Sequence, residues 1–229
     1  MVNKSTKGEI IRLVVFGVVA ILVVTVASYV WRIPQEFNSQ VVTVVYATSI
    51  ILMGMGAFVI FRRFVRRCYA QNRRLTPFAF YAQAQIWGLF FAFPCIYQPI
   101  NWAWTRSAIS KYIPLLGGVG WACVGVGLVS LAIALGGLGI PRSCGRDTGK
   151  LEIRGLYRLT RNPQLMGGAL LVMGYVLIWP SWYAVGWVVL FAVMTHWMVL
   201  SEEEFLRSVH SEAYHQYCQR VPRYLGLRR

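Results

Sequence analysis

Six apolar stretches, each close to 20 residues long, constrain this chain more than any other feature of its sequence. They occupy residues 10–30, 41–61, 78–99, 113–135, 162–179 and 180–202. Because a helix rises ~1.5 Å per residue, each stretch comes near the ~30 Å thickness of a bilayer core. With 57% hydrophobic residues among 229, a soluble globule is excluded. We predict an all-α, polytopic integral membrane protein with about six transmembrane helices, forming a single membrane domain over residues 1–229.

The positive charge of the chain lies between its apolar stretches. The formal net charge is +15, with the densest group of arginines in residues 62–74 and a second basic group in residues 142–161. Because cytoplasmic loops of membrane proteins are enriched in Lys and Arg, we expect both loops and both termini on the cytoplasmic side. Such clusters also attract anionic lipids. No nucleic-acid recognition module accompanies them, so nucleic acid is not expected as a partner.

The cysteines and histidines of the chain are scattered. Five cysteines and three histidines occur without C-x-x-C or other metal-ligand spacing. We therefore predict neither a disulfide framework nor a metal site.

Two stretches carry residues that are unusual at membrane depth. Residues 78–99 contain the amides Gln83 and Gln85, which must face protein, water or a ligand inside a bilayer. Interhelical hydrogen bonding and a substrate pocket explain them equally well. Residues 113–135 are rich in glycine and lead to Gly137 and Gly139, where helix packing is the favoured interpretation and close approach to a ligand is the alternative.

Charged residues flank the last two apolar stretches at the same end. Asn162 and Pro163 have the residue types of an N-cap and a first helical position, and Arg161 before them would offer a site for a carboxylate or phosphate. The triplet 202–204 of glutamates follows the return stretch, so we expect Arg161 and Glu202 to meet at one membrane face. The triplet also predicts the start of a tail helix, which acidic residues would stabilise through the helix dipole.

These residues carry a family resemblance. The pattern Gly155-Leu-Tyr-x-x-Thr-Arg161-Asn-Pro-x-x-x-Gly167 is followed by a hydrophobic hairpin, Glu202-Glu203-x-x-Leu206, Tyr214-x-x-Tyr217 and Arg220-Val-Pro-Arg223. It resembles the isoprenylcysteine carboxyl methyltransferase and phospholipid methyltransferase group of integral membrane enzymes. The resemblance covers about the last ninety residues. In this chain Asn162 stands where the group often has His, and Leu165 stands where it often has Tyr.

The resemblance implies a methyltransferase with S-adenosylmethionine as its cofactor and methyl donor, bound at the cytoplasmic side. A lipophilic or small hydrophobic acceptor would enter from the bilayer. Residues 1–135 would then form the amino-terminal spans, and residues 136–229 the donor-binding loop, the hairpin and the tail. Arg161 and Glu202 are the implied catalytic residues, the first holding a carboxylate and the second orienting or deprotonating the nucleophile. The implied cofactor-binding residues are Tyr157, Asn162, Pro163, Leu165, Gly167 and Glu203, together with Gly137 and Gly139.

Two other functions stay open on the sequence alone. A membrane reductase of the sterol-reductase type has a similar carboxyl-terminal hairpin and would take NADPH. A non-enzymatic membrane protein could use the same charges only for pairing across its cytoplasmic surface. Within the methyltransferase interpretation, the acceptor could be a phospholipid amine, a prenylated cysteine carboxylate or a small thiol.

Overall fold

The computed structural model describes residues 39–96, 113–138 and 151–224, and these ranges are helical with no β-strand. The predicted all-α class is therefore confirmed for this part of the chain. Three short segments supplement the main helices: a π-helical segment Val59–Val65, a 3-10 turn Gly155–Arg158 and the helix α2, Arg66–Asn72. The main helices are α1 Ser39–Phe58, α3 Pro77–Ile96, α4 Ile113–Leu138, α5 Pro163–Ile178 and α6 Trp182–Arg220.

Within the described residues, three helical segments are long and apolar enough to cross a membrane, namely Thr43–Asn72, Pro114–Gly137 and Trp182–Arg220. The six predicted spans are thus not all confirmed. The stretch 10–30 lies outside the described residues. Helix α3 is not among the three, and α5 has 16 residues, which corresponds to a length of ~24 Å, short of the bilayer core.

The last predicted span continues as a helix through residues 202–204, and a kink with non-helical backbone angles at Ser211 joins it to the end of the tail helix. Helix α6 has 39 residues and begins after Ser181, whose hydroxyl accepts the N–H of Ala184 at 3.1 Å. It changes direction only at Ser211, where φ is 37°. Residues 202–204 therefore lie inside a helix with no acidic residue in its first turn, and the predicted stabilisation of a helix start by these glutamates is wrong.

Helices α4 and α5 pack antiparallel through facing glycines. A Cβ added to Gly127 would lie 2.8 Å from the carbonyl oxygen of Gly167, and one added to Gly174 would lie 2.6 Å from that of Gly120. Neither contact leaves room for a side chain. The packing interpretation of the glycines in α4 therefore holds at Gly120 and Gly127.

Two clusters of buried side chains form the core. The larger one joins α1, α3 and α6, with the rings of Phe90 and Trp187 stacked at a centroid distance of 4.7 Å and the Trp187 indole N–H donating to the Phe90 carbonyl. The smaller one contains Tyr214, Tyr217 and Val221, beyond the change of direction in α6. Both clusters contribute walls to the cavity described next.

Candidate active site

A cavity of about 380 Å³ lies among α2, α3, α5, α6 and the 3-10 turn. This volume is within the range of small-molecule sites, ~300–1,000 Å³. The polar part of its wall comes from the 3-10 turn, the start of α5 and the middle of α6. Aromatic and aliphatic side chains of α3 and α6 line the other part, including Trp87, Phe91, Phe191 and Met198.

The cavity runs along α6 from charged residues into the apolar layer. Phe191 and Glu202 both line it and are separated by eleven positions, which corresponds to about 16 Å along a helix. On α3, the lining residues Gln83, Trp87 and Phe91 follow each other at intervals of four, so they share one face of that helix. A ligand could therefore place a polar group and an apolar body in one continuous space.

Glu203 organises the polar end of the cavity. Its side chain is 5% exposed, and its oxygens lie 3.0 Å from Arg161 Nη1, 2.7 Å from Arg223 Nη2 and 3.4 Å from Arg207 Nη2. A buried carboxylate is stable only when it is paired and hydrogen-bonded, and here three guanidinium groups fulfil that condition. Glu203 therefore fixes the positions of cationic side chains and is not itself a free acid.

Arg161 keeps an unused donor at the cavity. Its Nη1 contacts Glu203 and the sulfur of Cys218, and its side chain is 11% exposed. Its Nε is buried and has no hydrogen-bond partner in the described part of the chain. Leaving a buried donor unpaired costs about 1–3 kcal/mol, so this atom suits a ligand with a carboxylate or another strong acceptor.

The segment before α5 is held by the chain that follows α6. The backbone N–H of Arg161 donates to the Pro222 carbonyl at 3.0 Å, and the Thr160 hydroxyl donates to the Arg223 carbonyl at 3.1 Å. Asn162 occupies the predicted N-cap position but makes no capping bond, because its amide donates to the Arg223 carbonyl at 2.9 Å instead. The first turn of α5 consequently has no side-chain cap.

Tyr157 contributes a hydroxyl to the same wall. Its backbone carbonyl accepts the Tyr217 hydroxyl at 2.7 Å, and its own hydroxyl lies 3.4 Å from the Gln164 amide nitrogen. Burial, assisted by the negative charge of Glu202, raises the pKa of Tyr157 well above its usual value. The hydroxyl therefore keeps its proton at neutral pH and can donate a hydrogen bond to a ligand.

Glu202, unlike Glu203, has no counter-ion in the described part of the chain. It lines the cavity and makes no hydrogen bond or ion pair with any residue of the described ranges. The structure therefore brings the predicted pair Arg161 and Glu202 to one cavity, although Arg161 is bonded to Glu203. A ligand that donates a hydrogen bond or a proton would find an available acceptor in Glu202.

The remaining residues expected from the sequence separate into two groups. Pro163 and Leu165 line the cavity from the first turn of α5. Gly167 does not line it and instead packs against α4, where an added Cβ would lie 3.0 Å from the Gly127 carbonyl oxygen. Gly137, near the end of α4, is outside the cavity wall, with no atom within 4 Å of an added Cβ. Gly139 lies outside the described residues.

Tyr69 and Arg223 were not anticipated as part of the site, and Gln83 was anticipated only in one of two alternatives. Arg223 belongs to the Arg-Val-Pro-Arg pattern of the tail, which was a signal for its importance, and it reaches Glu203 from there. Tyr69 and Gln83 come from α2 and α3. Gln83 was noticeable only as an amide in an apolar stretch, and no sequence pattern pointed to Tyr69.

The apolar helices and the charged cavity define a membrane protein with a ligand-binding or catalytic site between its helices. The model of the phospholipid methyltransferase family matches residues 116–213. This segment contains Arg161, Glu202 and Glu203, so the family resemblance predicted from the motifs is confirmed. The match indicates a membrane methyltransferase and gives no support to a reductase or a packing protein. Searches of the curated proteins and of the solved structures found no significant match.

Proposed function

We propose that this chain is an integral membrane methyltransferase that uses S-adenosylmethionine and methylates a lipid-like or small hydrophobic acceptor. The observation that carries this proposal is the shared cavity of Arg161 and Glu202, which continues from the charged end to the aromatic side chains of α3 and α6. One polar substrate and one apolar substrate can meet in such a space.

The charged end of the cavity has the chemistry that this donor requires. The buried Nε of Arg161 would donate to the donor's carboxylate, and the pairing with Glu203 would hold the guanidinium in place. The Tyr157 hydroxyl and the uncapped first turn of α5 offer further donors. When bound, S-adenosylmethionine supplies a methyl group on a cationic sulfur that a nucleophile can displace.

Glu202 would act on the acceptor. Glu202 would accept the proton that the acceptor's nucleophilic atom loses when it takes up the methyl group. General-base assistance of this kind contributes ~10²–10⁴-fold to the rate. Positioning of the two reactants in a water-poor cavity would supply most of the remaining acceleration.

The basic cluster of residues 62–74 supports an orientation with the donor site at the cytoplasmic face. Arg62 and Arg66 from this cluster pair with Glu204, next to the site. The other arginines of the cluster are exposed and would contact anionic lipid head groups; they are Arg63, Arg67, Arg73 and Arg74. Both termini would then be cytoplasmic, with the acceptor entering from the bilayer.

Methyl-labelled S-adenosylmethionine and the purified protein test the proposal. We expect saturable donor binding and transfer of label to a hydrophobic acceptor in a membrane extract. Arg161→Lys should weaken donor binding about tenfold or more, because Lys lacks the planar fork that holds a carboxylate. Glu202→Gln should retain donor binding and lose ~10²-fold or more of the transfer rate.

Glu204→Gln is the matched control, since Glu204 is on the same helix, pairs outside the cavity wall and should affect neither measurement. No donor binding at millimolar concentration would reject the proposal. Protection of the protein by NADPH instead of S-adenosylmethionine would favour a reductase.

A further inference from the structure

We propose that Tyr69 and Gln83 bind the polar end of the methyl acceptor and, with Glu202, select a neutral group that carries an exchangeable hydrogen. A hydroxyl, a thiol or an uncharged amine fits this subsite, and an anionic carboxylate does not. This inference rests on the proposed methyltransferase function and names the chemistry of its second substrate.

Tyr69 presents an unpaired hydroxyl to the cavity. The residue is 7% exposed, its ring stacks on Phe205 at a centroid distance of 4.3 Å, and it lines the cavity. Its hydroxyl has no hydrogen bond within the ranges that the structure describes, and it is within reach of the charge of Glu202. The hydroxyl oxygen is not among the enclosed polar atoms that lack a partner, so a ligand in the cavity can reach it and form a hydrogen bond with it.

The Gln83 side chain makes only a weak hydrogen bond with the described residues. Its amide nitrogen lies 3.6 Å from the sulfur of Met198, and a thioether is a weak acceptor. Met198 precedes Glu202 by about one helical turn, and Gln83 and Glu202 line the same cavity. Of the two alternatives that the sequence left open, the structure shows a feature of each, because Gln83 contacts Met198 of α6 and also lines the cavity.

The charge of the cavity wall disfavours an anionic acceptor. Among the described lining residues, Glu152, Glu202 and Glu203 are acidic, and the basic ones are Arg161, already bonded to Glu203, and His210. A carboxylate next to Glu202 would meet a like charge, while Arg161 is engaged by Glu203. A neutral X–H group can instead donate to Glu202 while it accepts from Tyr69 or Gln83.

Tyr69 and Gln83 belong to a different part of the sequence from the residues proposed to bind the donor. Tyr69 and Gln83 precede residue 116, where the family match begins. Trp87 and Phe91 continue the lining face of α3 beyond Gln83 and would receive the apolar body of the acceptor. Acceptor choice would then be set by α2 and α3 together with Glu202, and donor binding by Arg161 and its neighbours in the family segment.

The test measures methyl transfer by the full chain, in detergent, to four probes of equal chain length: 1-decanol, 1-decanethiol, decylamine and decanoic acid. We expect transfer to at least one of the first three and none to decanoate. Tyr69→Phe and Gln83→Leu should each raise KM for the accepted probe about three- to tenfold, the effect of one lost hydrogen bond, without changing the donor Kd.

Gln85→Leu is the matched control, because Gln85 is on the same helix and outside the cavity wall; its KM should equal that of the original protein. If Gln83→Leu does not fold, Gln83→Met removes the amide at similar length and gives the same measurement. Unchanged KM values in the variants, a preference for decanoate, or donor binding without transfer to any neutral probe would overturn the inference. Absence of donor binding would instead overturn the proposed function.

Discussion

Substitution by Gln should change the free energy of unfolding much more at Glu203 than at the adjacent Glu202. Glu203→Gln leaves the buried Arg161 without its counter-ion, so we expect a loss of about 3 kcal/mol in the free energy of unfolding. Glu202→Gln breaks no ion pair with the described residues and should change stability by less than ~1 kcal/mol. Denaturant unfolding of the detergent-solubilised variants, followed by circular dichroism, measures both values.

Glu204→Gln is the control variant for this comparison. Glu204 pairs with Arg62 and Arg66 with its side chain 35% exposed, and partly exposed pairs contribute about 0–1 kcal/mol. Equal losses of unfolding free energy at Glu202 and Glu203 would contradict the proposed roles, in which Glu203 stabilises the fold and Glu202 acts in catalysis.

Individual residues of the site show what the sequence could and could not predict. The motif predicted that Arg161 and the glutamates would share a site, because its pieces flank one helical hairpin. It could not predict which glutamate pairs with Arg161, since adjacent residues on a helix point about 100° apart and the rotation of α6 depends on its neighbours. Tyr69 has no local signal at all, because its role arises from where α2 packs against Phe205.

Between elements, the glycine contacts of α4 and α5 hold the start of α5 against the site. Gly127→Ala would place a Cβ 2.8 Å from the Gly167 carbonyl oxygen and 3.0 Å from the Leu171 nitrogen. Because these are backbone atoms that cannot rotate away, the helices must separate, at a cost of about 1–3 kcal/mol. We expect a lower Tm for Gly127→Ala and weaker donor binding, measured on the same samples.

Gly125→Ala is the control within the same helix. No atom lies within 4 Å of a Cβ added to Gly125, so the better helix propensity of Ala should leave Tm unchanged or slightly higher. A similar loss at both positions would indicate that α4 needs glycine for its flexibility and not for its contact with α5.

The elements were predicted more reliably than their boundaries. Apolar stretches indicated helices in every described span, and Ser181 and Pro163 mark helix starts as their residue types suggest. The continuity of α6 through residues 202–204 was missed, because charge on leaving an apolar stretch is also typical of a new helix start. Here the ion pairs of Glu203 and Glu204 satisfy those charges inside the helix instead.

At the scale of the whole molecule, the charge distribution predicts how the chain lies in its membrane. Helix α6 carries Trp182 at one end, 66% exposed, and Glu204 twenty-two positions later, about 33 Å along the helix. Arg62 and Arg66 join the basic cluster to Glu204, so the cluster and Trp182 belong to opposite faces. Because positive charge accumulates on the cytoplasmic side, Trp182 should face away from the cytoplasm.

Labelling with a membrane-impermeant maleimide tests this orientation in cells that express a cysteine-free background able to bind S-adenosylmethionine. Trp182→Cys should react in intact cells, and Arg67→Cys, at an exposed position of the basic cluster, should react only after permeabilisation. The reverse pattern would place the donor site on the side where positive charge is rare, which contradicts the positive-inside argument. Reaction of both in intact cells would mean that residues 182–204 do not cross the bilayer.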